Sequence, residues 1–152
     1  MTMALPILLG LFLILLTVLV HAFGSSAWIR MMKNRFAADA ENRGPSWGLS
    51  VLMSTALFLI LLHLAEITLW ALAYRLLPGM DVLDSFTEAL YFSIVTYTTL
   101  GYGDITLTGS WRLFSGIEAT GGILLFGWRT AMLFAAVQRV WRGMHTIPED
   151  NP

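Results

Sequence analysis

The chain has 152 residues, 57% of them hydrophobic and 12% charged, with a mean hydropathy of +0.70. Soluble domains carry about 25% charged residues, so this composition belongs to a membrane protein. A net charge of −1 argues against a nucleic-acid partner. The absence of cysteine excludes disulfides, thiol catalysis and cysteine metal sites. One compact membrane unit is expected.

The first apolar segment runs from Leu5 to Phe23, 19 residues without a formal charge, close to the roughly 20 that cross a hydrocarbon core. Small residues at Ala22, Gly24, Ser25 and Ser26 offer a signal-peptide reading. No basic stretch precedes the run, however, and it exceeds the usual apolar length of about 7 to 15 residues. A retained N-terminal helix over 1–27 is the better reading. Residues 28–47 then turn polar, with Arg30, Lys33, Arg35 and Arg43 against Asp39 and Glu41, and read as a basic loop.

The second span covers 48–77, where Pro78-Gly79 stops it. Its 30 residues reach about 45 Å at roughly 1.5 Å per residue. Residues 86–98 are apolar but too short to span, so they read as a re-entrant helix, with Ser85 and Glu88 spaced for a capping box. The last span covers 111–141, followed by a short tail over 143–152. Trp28, Trp47, Trp111 and Trp141 flank the spans as an aromatic belt does.

Six of the nine Lys and Arg residues lie in the 28–47 loop or at Arg139 and Arg142. The positive-inside rule puts both regions in the cytoplasm. The N-terminus and the re-entrant segment then lie outside and the C-terminus inside, in a cell membrane.

The re-entrant helix runs into Thr98-Thr99-Leu100-Gly101-Tyr102-Gly103-Asp104. This stretch resembles the selectivity filter of potassium channels, and 48–142 resembles the helix–pore loop–helix unit of that family. The first 47 residues have no counterpart in the minimal unit. Such a filter replaces the hydration shell of K+ with rings of backbone carbonyls. Glycine reaches the left-handed conformations this needs at no steric cost.

The resemblance implies an all-α membrane fold with three transmembrane helices, a re-entrant pore helix and a filter at 99–104. Four chains would surround one pore, because one loop cannot enclose an ion. The carbonyls of Thr99, Leu100, Gly101 and Tyr102 and the Thr99 hydroxyl would line the K+ sites, with Gly103 completing the filter. Thr98 and Asp104 would support it, and Tyr91 and Phe92 would form an aromatic cuff around Tyr102. Asp104, Asp81 and Asp84 would make an acidic vestibule. Gly121 and Gly122 fall where such channels place a gating hinge, although packing by small residues explains them equally well. Ile123, Phe126, Thr130 and Phe134 form a stripe that would face the cavity, or an ordinary packing face.

Two departures from the family pattern stand out. Leu100 occupies a position usually held by valine or isoleucine. Val95 stands where some relatives have a carboxylate bracing the filter aspartate, and Glu118 is the candidate to replace it.

Glu66, Glu118 and Arg129 fall well inside predicted spans, where charge is costly and usually paired. Glu66 and Arg129 lie at similar depths, about 20 to 27 Å from the cytoplasmic ends at roughly 1.5 Å per residue. They are expected to pair. His63 and Glu66 are spaced to share a metal, but no third ligand is evident; His21 and His145 read as interface residues near span ends.

The functional expectation is passive, potassium-selective conduction without catalytic chemistry or an organic cofactor. No span repeats arginine as a voltage sensor does. Gating would come from the filter, the inner helix, lipid or a separate regulatory protein. The rival is a membrane adaptor that keeps the pore architecture, regulates a partner and conducts little. Arg129 supports that rival, since four arginines in a cavity would repel cations.

Overall fold

The computed structural model describes residues 3–38, 45–77 and 83–145. It consists of four α-helices with no strand among those residues: α1 (Ala4–Ala38), α2 (Pro45–Leu76), α3 (Phe86–Tyr97) and α4 (Trp111–His145). Three of them contain segments long and apolar enough to cross a membrane: Ala4–Ala37, Ser46–Leu76 and Trp111–Arg142. The short α3 lies against α2 and α4, and α1 packs mainly along α4.

The polarity is inverted relative to a soluble protein. Leu8, Phe12, Phe23, Leu57 and Phe126 are exposed, while Thr17, His21, Glu66 and Glu118 are completely buried. Hydrocarbon around the helices removes the penalty on exposed apolar groups and makes interior polar contacts the favoured ones.

One expectation needs correction. The basic loop assigned to 28–47 is helical as far as Ala38, and α2 begins at Pro45. No glycine or proline interrupts residues 28–38, which hold good helix formers such as Arg, Met and Lys. Trp28, Met32 and Phe36 recur every fourth residue and lie on one face. They pack with Trp47, Val51 and Val140 of the other helices. Pro45 opens α2 at a position where a missing N–H costs nothing. Residues 39–44, with Asp39, Glu41 and Arg43, lie outside the described residues, as do Pro78-Gly79, Asp81 and the tail beyond His145.

The tryptophan belt changes with that extension. Trp28 stacks on Phe58 at 4.5 Å and donates to Thr55 Oγ1 at 3.3 Å. Trp47 meets Phe36 edge-on at 4.7 Å, and Trp111 is buried against Phe114. Only Trp141 among the four is largely exposed.

Helix α3 starts where the sequence places it. Ser85 Oγ accepts from the Glu88 N–H at 3.1 Å, and Glu88 Oε2 accepts from the Ser85 N–H at 3.2 Å. This reciprocal pair satisfies two otherwise orphaned amides. The core between α2, α3 and α4 is aromatic. Phe114 meets Trp70 and Tyr74 at 5.2 and 5.3 Å, and Tyr74 meets Phe92 at 5.1 Å.

Small residues let the long helices approach. A Cβ on Gly10 would stand 2.9 Å from Ile117 Cγ2, and one on Gly121 would stand 3.0 Å from Ile14 Cγ1. Both contacts join α1 to α4.

Candidate functional site

Thr98 caps α3, and the chain turns back along the helix it has just left. The Thr98, Thr99 and Gly101 amides donate to the carbonyls of Ile94, Thr96 and Val95 at 3.1, 2.9 and 3.2 Å. Thr99, Gly101 and Gly103 have φ of 61°, 58° and 78°, whereas Leu100 and Tyr102 do not take positive φ. Left-handed and ordinary residues therefore alternate for five positions. The Gly101 amide is committed to the Val95 carbonyl of α3. The two glycines adopt the left-handed conformation freely. Thr99, β-branched, bears a strain of about 1 to 2 kcal/mol. Such strain persists where surrounding structure enforces it, characteristically at functional sites.

Asp104 closes the segment. Its Oδ2 accepts from the Tyr91 hydroxyl at 2.6 Å. That bond holds the Asp104 carboxyl below its ordinary value of 3.8. Tyr91 thus ties Asp104 to α3, and Val95 of the same helix is buried. Phe92 points the other way, into the core against Tyr74. Of the two expected cuff aromatics, only Tyr91 lies at the surface beside the loop. Tyr102 and Leu100 are exposed in the single chain, as is Asp84.

Below Thr98 and Thr99 lies an open concavity of about 560 Å³. Gly122, Ile123, Phe126 and Thr130 of α4 line one side, and Leu59 and His63 of α2 the other. The stripe therefore faces the space under the loop; Phe134, one turn beyond Thr130, is also exposed. Helix α4 runs unbroken through Gly121 and Gly122, and close approach accounts for both. A Cβ on Gly122 would lie 1.9 Å from the Tyr97 carbonyl oxygen. Only glycine lets α4 press against the last residue of α3.

The intramembrane ionisable groups form two separate clusters. In the first, Glu66 and Arg129 come together, with Nη1 donating to Oε2 at 2.8 Å. Arg129 borders the concavity, but its charge is directed to Glu66, and its side chain is 10% exposed. Two further donors reach the same carboxylate. His21 Nδ1 donates to Oε1 at 2.7 Å and the Tyr97 hydroxyl to Oε2 at 3.2 Å. Glu66 thus joins all four helices.

His21 is not an interface residue. Extension of α1 to Ala38 puts it midway along the helix and fully buried. His63 Nδ1 is 4.0 Å from Glu66 Oε2, beyond hydrogen-bond reach. Among the described residues no group of three or more His, Asp or Glu side chains is arranged to hold a metal. The side chain of His145 lies outside the described residues.

In the second cluster Glu118, fully buried, accepts from the Tyr74 hydroxyl and from Ser93 Oγ, both at 2.5 Å. It links α4 to α2 and to α3 rather than to Asp104. The sequence reading missed Tyr74, Ser93, Tyr97 and His21 as partners. Their signal was a polar group recurring inside otherwise apolar spans.

A family model described as an ion channel matches residues 51–139, more than half of the chain. The chain belongs to the ion channel family. No solved structure matches it. The matched segment runs from the first third of α2 through α3 and the loop after it to near the end of α4. It includes Glu66, Tyr97, Glu118 and Arg129, while α1 and His21 lie outside it. The channel segment is thus joined at its buried centre to a helix that the family description does not cover.

Proposed function

We propose that this channel conducts K+ passively across the cell membrane, through a pore formed by four copies of the chain. The observation that carries the reading is the backbone of 99–103. Left-handed conformations alternate there within Thr-Thr-Leu-Gly-Tyr-Gly-Asp, and the Gly101 amide is tied back to the pore helix. Carbonyls facing one way from four chains would replace the hydration shell of K+, with the Thr99 hydroxyl at the inner end. Leu100, Tyr102 and the Ile123–Phe126–Thr130 face, exposed in one chain, would be covered or line the central cavity in the tetramer. The carbonyl end of α3 directs partial negative charge toward the cavity, which favours a cation.

The basic ends of α1 and α4 would lie in the cytoplasm, with the N-terminus outside and Asp104 and Asp84 at the outer mouth. Gating would come from the filter, lipid or a separate regulatory protein. Bending of α4 at Gly121-Gly122 is the other route, and it would disturb the contact with Tyr97. The rival reading, a non-conducting adaptor, drew on repulsion from Arg129; its ion pair with Glu66 offsets that charge.

The test is cation flux through purified protein in liposomes, K+ against Na+, with Gly101→Ala as control. Gly101 has φ 58°, so the substitution costs about 1 to 2 kcal/mol in each of four chains. Potassium-selective flux lost in the variant is the expected result. Absence of flux, or equal flux of both ions, would overturn the proposal.

A further inference from the structure

Helix α1 lies outside the channel-family segment, and its buried polar residues raise the question of its role. Thr17, His21 and Ser25 recur at every fourth position, all buried, in the part of α1 that precedes its basic end. Thr17 bonds carbonyls of its own helix, and Ser25 Oγ has no partner. His21 alone of the three bonds another helix, through Nδ1 to Glu66.

We propose that His21 is a positioning residue for the ion filter, acting through Glu66 on Tyr97 to fix the foot of the filter at Thr98-Thr99. The inference rests on the reading of 98–104 as a filter. An ionised carboxylate only accepts hydrogen bonds, so the three groups around Glu66 must all donate. They divide its oxygens: His21 takes Oε1, while Arg129 and Tyr97 share Oε2. Donation to Oε1 satisfies Nδ1 of His21, whereas Nε2 has no partner. The Trp128 ring, 5.2 Å away, packs against the imidazole.

Tyr97 is where this arrangement meets the filter. It is the last residue of α3 and is buried. Its hydroxyl is held by Glu66 and its carbonyl lies against Gly122. Without His21, the buried Oε1 would lose its hydrogen-bond partner. Arg129 presents a forked donor suited to both oxygens of a carboxylate. Rotation of Glu66 to meet that fork would weaken the bond to Tyr97. The effect would then reach the Thr98, Thr99 and Gly101 amides, which bond back to α3 just before Tyr97.

Hydrogen exchange by mass spectrometry on the full chain in lipid nanodiscs tests this without requiring conduction. In His21→Leu, exchange at residues 98–101 should rise at least tenfold, while residues 52–60 of α2 keep wild-type protection. His21→Asn, whose amide N–H occupies the place of Nδ1–H, should restore protection. Tyr97→Phe enters the same chain from the other end. It should loosen 98–101 likewise, and adding His21→Leu should produce little further change. Unchanged exchange at 98–101 in both single variants, or a uniform rise along all helices, would overturn the proposal.

Potassium-over-sodium flux in liposomes is measured on the same samples, and selectivity should fall in His21→Leu and recover in His21→Asn. A wild-type protein without selective flux would strike the filter reading alone. The exchange pattern would still decide whether His21 positions this loop.

Discussion

Gly122→Ala introduces one methyl group at the tightest point between α4 and the pore helix. The new Cβ would lie 1.9 Å from the Tyr97 carbonyl oxygen and 2.9 Å from its carbonyl carbon, whereas ordinary contact begins at 3.4 Å. The helices must separate by about 1.5 Å, and both sides of the clash are backbone, so no side-chain rotation relieves it. Overpacking of this kind costs about 1 to 3 kcal/mol. Alanine is the better helix former by about 0.8 to 1.0 kcal/mol, so the upper end of the overpacking range, which a clash against a backbone carbonyl calls for, leaves a net loss of about 2 kcal/mol per chain. Gly116→Ala is the matched control, because among the described residues nothing beyond its own stretch of helix lies within 4 Å of its Cβ position. Thermal unfolding in detergent, followed by tryptophan fluorescence, should place Gly122→Ala clearly below wild type and Gly116→Ala at or above it. Equal midpoints for the two variants would refute the argument that Gly122 is required by close approach.

Three further outcomes follow from the same geometry. Exchanging the charges, Glu66→Arg with Arg129→Glu, should restore only part of the stability lost in either single variant, measured by thermal unfolding. An arginine at 66 cannot accept from His21 and Tyr97, and full rescue would contradict the four-helix arrangement. Tyr74→Phe removes one donor from buried Glu118; leaving a buried acceptor short of a partner costs about 1 to 3 kcal/mol. It should therefore lower the unfolding midpoint, more than Tyr91→Phe does at the exposed Asp104. For Asp104 the folded carboxyl lies below its ordinary 3.8. The stabilisation from Tyr91 is therefore fully present above that pH and is lost only as pH falls through the lower folded value. The Asp104 carboxyl carbon, followed by NMR, should show no titration from pH 8 to 5, and Tyr91→Phe should move its midpoint upward.

Much of this architecture was legible because the features were local. Ser85 and Glu88 marked the start of α3, and hydropathy marked three spans. Thr98 to Asp104 carried a pattern whose glycines fall where positive φ is needed. Matched depth and opposite charge brought Glu66 and Arg129 together on paper. The rest depended on packing between distant segments. His21 looked peripheral because the apolar run ends at Phe23, while the helix continues for fifteen more residues on a face set by Trp28, Met32 and Phe36. Gly122 left hinge and close packing equally open in the sequence, because its contact, the Tyr97 carbonyl, is a backbone atom that no side-chain pattern advertises. Glu118 could be seen to need partners, but only the fold brings Tyr74 and Ser93 to it.

The most direct test of the central claim is the reversal potential of single channels in planar bilayers, with K+ on one side and Na+ on the other. The account predicts discrete currents that reverse close to the potassium equilibrium potential and vanish in Gly101→Ala. Currents that reverse near zero, or that persist unchanged in Gly101→Ala, would contradict a potassium filter at 99–103.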